Sequence, residues 1–438
     1  MSRRFLSVLV LTLLAMSFTI IGTAQESEIA GSIVVWMQQA NQDQIEATVL
    51  DDFYAAYPNI EVSFTNYSPQ EVAQQLAISI QGGAGAPDVA LMQSDQLPRI
   101  VELGGLADIT DFIGDDATDF VPSALRLGEL DGRLYGVPWD IGPVVLYYRR
   151  DIFEAAGLPS DPETVGDLVA TWDQYFEVCQ TINDATALPC FANNRAQSLG
   201  DLWINLLVAQ GLGWYSDDDT LTIDSPENIA ALELVGTFWD AELVSDDLEW
   251  TDGWYASLNE VALQDATVPA VATLPIAAWM GGFLKNWVAP DTAGLWGVVP
   301  FPAVVEGGVR SANMGGSSYA IPAQSDNQEA AWAFIEFVNS AESQLAIFEY
   351  GDIFPARIST YADPLFSEAD PYFADQPVRE VYAEAALNMP VSNVNGPFYV
   401  IMKSTTETAI QNYATGRMTA AEALAEARET ISLETGLE

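Results

Sequence analysis

From Ser32 onward, short apolar runs of strand length alternate with longer stretches in which apolar residues recur every three or four positions. Period two marks a half-buried strand and a period near 3.6 marks one buried helix face, so the alternation predicts a sheet built from β–α units. Ile33 to Trp36 read as a buried first strand. Ile45, Val49 and Phe53 then share one face of a helix that Pro58 ends, and Ile60, Val62 and Phe64 return to period two. Ser68, Pro69 and Glu71 supply an N-cap, a proline at the first helical position and a capping-box acid ahead of the stripe Val72, Leu76, Ile80. Gly82-Gly83 ends that helix, and Pro87 to Met92 form the third strand. This βαβαβ start carries no glycine-rich phosphate loop, so it indicates no nucleotide site. Asp326 with Glu329, and Thr419 with Glu422, are spaced to box two later helices. No solenoid repeat and no long Gly/Ser or Pro linker interrupts the chain, which predicts interleaved lobes with several crossings between them.

The ends and the composition narrow the setting. Arg3 and Arg4 precede an apolar run from Phe5 to Ile21, and Gly22-Thr23-Ala24 offers a cleavage site, so residues 1–24 read as a signal peptide. The spacer of a twin-arginine signal is missing, which favours ordinary export, and no cysteine follows the run to carry a lipid anchor. A soluble periplasmic or extracytoplasmic protein is expected. The 438 residues suffice for two cores. The net charge of −47 repels nucleic acid and anionic membranes, suits solubility in a demanding exterior and names no ligand. A complete lack of histidine removes the commonest general base, the commonest metal ligand and every Ser-His or Cys-His nucleophile. No cofactor and no metal site are expected, and a carboxylate-pair hydrolase is the enzyme class left open. Cys179 and Cys190, a close pair in an exported chain, read as a disulfide before a metal site.

Several segments then follow one another in a specific order: Phe53–Val62 (FYAAYPNIEV), Gly83–Val89 (GAGAPDV), Leu103–Thr110 (LGGLADIT) and Leu130–Trp139 (LDGRLYGVPW). Tyr147–Leu158 (YYRRDIFEAAGL), Ile276–Gly282 (IAAWMGG), Gly297–Pro302 (GVVPFP), Gly315–Pro322 (GGSSYAIP) and Phe354–Arg357 (FPAR) continue the series. In content and order they resemble the family 1 extracellular solute-binding proteins, the group akin to the maltose-binding protein. The resemblance implies an α/β, two-lobed periplasmic binding protein fold of type II with three hinge crossings, closing over its ligand. The crossings are expected near Asp140 to Val144, near Ser311 to Met314 and just after Arg357. The N-lobe then comprises 26–140 plus 314–357, and the C-lobe 141–313 plus 358–438. The implied task is capture of a small molecule, most often a saccharide, by a monomer that delivers it to the membrane permease of an ABC transporter and does no chemistry. A binding module for a sensor or chemoreceptor is the alternative within the same fold.

Sugars offer apolar C–H faces to aromatic rings and hydroxyls to planar polar groups. Of the 12 tryptophans, Trp172, Trp239 and Trp332 sit in helical stripes and read as packing. Trp36 at the first strand's end, Trp139 at the first crossing, Trp279 and Gly281 in the Trp-Met-Gly-Gly turn, and Trp250 and Trp254 are candidate ligand contacts. Gln38, Gln93, Asp95 and Asp140 are the polar candidates, with Asp95 also able to serve as an N-cap. Gly315 and Ser317 can bring backbone N–H groups to a ligand or merely form a tight hinge, and Phe354 and Arg357 close the set. Few cations and several acids among these residues favour a neutral or cationic saccharide.

Overall fold

The computed structural model describes residues 29–197, 200–216, 218, 220–259 and 269–438. The expected signal peptide lies outside the described residues. Seven strands form the main sheet: β1 (Gly31–Met37), β2 (Ile60–Asn66), β3 (Val89–Gln93), β4 (Val137–Arg149), β5 (Thr273–Ala277), β6 (Trp296–Pro300) and β7 (Asn313–Ala320). Their order is β6-β4-β7-β3-β1-β2, with β5 also paired to β4. β1 runs parallel to β2 and β3, whereas β7 is antiparallel to both β3 and β4.

β4 joins the two parts of the molecule. Its first half pairs with β7 as far as Pro143, and from Val144 it pairs instead with β5 and β6. Pro143 has no N–H to give a ladder, which suits it to the changeover. Beside it the two strands approach very closely. A Cβ on Gly142 would lie 1.9 Å from the Met314 carbonyl oxygen, and one on Gly316 would lie 2.8 Å from that of Asp140. Gly315 and Gly316 take φ of 90° and 101°, and the register of β7 shifts around them.

Side-chain alternation along β4 feeds separate cores. Val145 and Tyr147 join the core that also holds β1, β3 and helix Gln328–Val338. Val144, Leu146 and Tyr148 face a second core, built on helices Trp172–Thr186, Asp201–Ala209, Pro226–Asp240, Tyr399–Ala414 and Ala420–Thr435. A smaller cluster packs Val72 and Leu76 of helix Pro69–Gly82 against Ala90 and Met92.

Most local expectations are met. Ile45, Val49 and Phe53 are buried as one stripe. The helix nevertheless breaks into Gln39–Thr48 and Leu50–Ala56, because Val49 leaves helical geometry at φ −128° while the stripe's hydrogen bonds continue through it. The boxes at Ser68/Glu71 and Thr419/Glu422 form. The one at Asp326/Glu329 does not: the helix starts from Asn327, whose N–H is held by Ser325 Oγ at 3.0 Å. Cys179 and Cys190 are joined, which fastens helix Trp172–Thr186 to the short strand Phe191–Ala192. Trp172 and Trp239 are buried, and Trp332 is half-buried and stacked on Phe112.

Candidate ligand-binding cleft

Beside β5 lies a cavity that opens to solvent. Its walls are Leu274 to Ile276 of β5, Met314 at the start of β7, the turn at Asn193 and Asn194, the first turns of helix Asp201–Ala209, and Leu248 with Glu249. The polar lining is therefore mostly amide and carboxylate. Asn194 accepts from the N–H groups of Ala196 and Gln197 in its own loop at 2.9 Å and donates across to the Asp246 carbonyl. Glu249 contrasts with it: its carboxyl has no hydrogen bond among the described residues. Burial, reinforced by the charge of Asp201 and only partly offset by Lys403, pushes that carboxyl up to about 8. At neutral pH it is a neutral acid, able to donate as well as accept.

A second acid lies near Asp201 and Lys403, outside the lining of the cavity. Asp95, just past β3, accepts from Gln96 Nε2 at 3.2 Å and from the Tyr399 hydroxyl. Burial raises its pKa as well. Tyr399 begins the helix that also carries Lys403, whose Nζ lies 2.8 Å from Asp201 Oδ1. Burial opposes the lysine's charge, but Asp201 outweighs it and holds the lysine above its usual pKa. The cation here is thus paired with one carboxylate, Asp95 is held by Gln96 and Tyr399, and Glu249 is the acid without a hydrogen bond among the described residues. Asp95 does not cap a helix.

Tryptophans form the neighbouring surface. Trp279 donates through Nε1 to the Met314 carbonyl at 3.0 Å, which fixes its ring against β7 beside Gly315. Trp250 packs against it at 5.7 Å between centroids. At the ends of the parallel strands, Trp36 is packed edge-on to Tyr67, Gln38 opens helix Gln39–Thr48, and Gln93 lies opposite Ser317 in the β3–β7 ladder. Asp140 is held by the hydroxyl and N–H of Ser317, yet its Oδ1 is buried without a partner among the described residues. Burial pushes this carboxyl up to about 6 against those two hydrogen bonds.

None of the expected contacts is among the residues that line this cavity, and five of them are committed to packing or ion pairs elsewhere. Trp139 is 1 % exposed and packs edge-on to Tyr319 in the first core, since inward alternation along β4 turns it away from the cleft. Trp254 is fully buried behind Trp250. Phe354 is enclosed by Phe348, Tyr361, Phe366 and Tyr382. Arg357 is committed to Asp116 at 2.8 Å and Asp119 at 3.1 Å, with its guanidinium over Phe120. Gly281 is a packing glycine, because a Cβ there would sit 2.7 Å from the Tyr382 hydroxyl. Conversely, Asp201, Glu249, Asn205, Tyr399 and Lys403 escaped the sequence reading. Only Glu249 had a signal, through its neighbour Trp250; the others lie in ordinary helical stretches that the fold alone brings together.

A two-part α/β sheet with a polar cavity beside its junction is the arrangement that the comparisons place in a family. The chain belongs to the bacterial extracellular solute-binding protein family, whose profile matches residues 38–345. It is 28% identical over 318 residues to an arabinooligosaccharide-binding protein of Halalkalibacterium halodurans, covering 72% of this chain and 68% of that one. Against a lactose-binding protein of Rhizobium radiobacter the identity is 26% over 396 residues, with 87% of each chain covered. Among solved structures, an extracellular solute-binding protein of family 1 superposes with a TM-score of 0.78 at 21% identity, over 92% of this chain and 99% of that one. An ABC transporter-associated binding protein of B. animalis subsp. lactis, solved with β-1,6-galactobiose, gives 0.73 at 26% identity, over 93% and 99%. The two-lobed fold expected from the sequence is therefore the fold observed. No helix among the described residues is long and apolar enough to cross a membrane.

Proposed function

We propose that this protein captures a mono- to oligosaccharide between its lobes, outside the cytoplasm, and delivers it to the membrane permease of an ABC transporter. It acts as a monomer without a lipid anchor, and the lobes divide at 26–140 plus 314–357 and 141–313 plus 358–438. The observation that carries the reading is the cleft's chemistry. Amides and a neutral acid face the cavity, the lysine is already paired with Asp201, and Trp279 offers a ring fixed to the crossing strand. Such a set satisfies hydroxyls and C–H faces and gives an anionic solute little to bind. The sugar-binding names of the relatives point the same way.

Gln93 and Asp95 of the proposed N-lobe, and the cavity-lining Asp201, Asn205 and Glu249 of the proposed C-lobe, are the proposed polar contacts. A ligand touching both sets favours the closed arrangement by the difference in its contacts between closed and open forms. A thermal-shift screen of neutral mono- to trisaccharides tests this. At least one should raise the melting temperature by an amount that grows with the logarithm of its excess over Kd, and Trp279→Ala should abolish that rise. A full saccharide panel with no shift, alongside a shift from a charged non-sugar solute, would refute the assignment.

A further inference from the structure

The aromatic surface at the cleft does not stop at Trp279. Trp250 is 5.7 Å from Trp279 between ring centroids, Trp279 is 5.8 Å from Phe283, and Phe283 is 5.2 Å from Trp287. Four rings thus run without a gap from Trp250, next to the cavity-lining Glu249, out to solvent. Exposure is unequal along the row: Trp250 is 38% exposed, Trp279 and Phe283 are half-buried, and Trp287 is 71% exposed. Leaving one tryptophan so open forgoes the burial of a large apolar side chain, and a lone case needs no explanation. This one is the end of a continuous track.

The backbone is irregular at both ends of that track. Trp250 takes a left-handed φ of 67°, an uncommon and costly conformation for a bulky residue. Residues Leu284–Val288 form a π-turn, a geometry that is rare and concentrated at functional sites. Lys285 in that turn is anchored to Asp352 at 3.1 Å and to Asp370 at 3.0 Å, so the turn is held from one side while Trp287 is left to solvent on another. A regular turn, with a 3.6-residue period, would have placed these side chains differently.

We infer that Phe283 and Trp287 form an outer subsite that stacks on the sugar units of an oligosaccharide extending beyond the cleft, making the protein selective for chain length. The inference rests on the saccharide reading above. The occupant is a glycan rather than an apolar peptide because the track begins at Trp250, the chain neighbour of Glu249 in the amide-lined cavity. A chain anchored there by hydroxyl contacts is thereby led onto rings that need only its C–H faces. Ring stacking tolerates variation in linkage and stereochemistry, so the outer subsite rewards length while the cavity reads identity.

The test is a calorimetric titration of the full chain and of Trp287→Ala with β-galacto-oligosaccharides and arabino-oligosaccharides of two to five units. Trp287 is exposed, so the variant should fold, and its melting temperature confirms that. In the wild type, affinity should rise roughly tenfold between the disaccharide and the longer members of the series that binds. The variant should keep the disaccharide Kd within about twofold and lose the gain with length. Equal affinities for wild type and variant at every length would overturn the outer subsite while leaving the saccharide reading intact, and would free Trp287 for a contact with a protein partner. Absence of binding by either series at millimolar concentration, while a monosaccharide from the thermal-shift panel does bind, would overturn the outer subsite and leave the saccharide reading standing.

Discussion

Glu249 and Arg357 show how differently a charged side chain can be treated in one fold. Arg357 is sealed by two aspartates and an aromatic face, whereas Glu249 faces the cavity with its pKa pushed up to about 8, first by burial and then by Asp201. An acid whose folded pKa is raised destabilises the folded state only once its proton must leave. The penalty is absent below the unfolded value near 4.5, grows as pH rises towards 8 and is constant above that. Glu249→Gln should therefore gain stability relative to wild type by on the order of 2 kcal/mol between pH 4.5 and pH 8.5, after allowing for water in the cavity. Urea unfolding of both proteins across that range checks it, and a pH-independent difference would remove the raised acid from the account. Single residues were the least legible level of the sequence. Gln93, Asp95 and Trp279 are expected contacts because they lie at or just past strand ends, yet the cavity's lining is drawn from other residues. Arg357 could not be read correctly: its partners Asp116 and Asp119 lie far back in the chain, and nothing local announces them.

Among the elements, β4 carries the most structural consequence. Its 13 residues serve two groups of strands in turn, and the transfer depends on Gly142 and Pro143. Gly142→Ala would press a methyl into the Met314 carbonyl and force β4 and β7 apart. A loss of at least ~2 kcal/mol in denaturant unfolding is expected, together with weaker ligand binding, because Met314 also holds the Trp279 ring. Unchanged stability would mean that the crossing strands separate easily. Elements were the most legible level. Period two and period 3.6 located the first strands and helices, and the capping boxes at Ser68 and Thr419 were readable because they are local in sequence. The break at Val49 was not, since the apolar stripe continues through it and only the backbone changes. At Asp326 the local pattern was overridden by tertiary structure: Ser325 donates to Asp88 at 2.6 Å and takes over the start of the helix.

For the molecule as a whole, two cores share one sheet and the chain passes between them through paired strands rather than a free linker. A contact in the cleft can act on the paired strands through Met314, which lines the cavity, lies on β7 and holds the Trp279 ring through its carbonyl. The family segments in the sequence, spread from Phe53 to Arg357, foreshadowed this arrangement, whereas the acid cluster around Lys403 arises from helices brought together only in three dimensions. The most direct test is a crystal structure of the protein with the saccharide that gives the largest thermal shift. The account predicts sugar density stacked on Trp279, within hydrogen-bonding distance of Glu249 and of Asp95 or Gln93. Density at a site away from β5 and Met314, or a cleft still empty at saturating sugar, would contradict it.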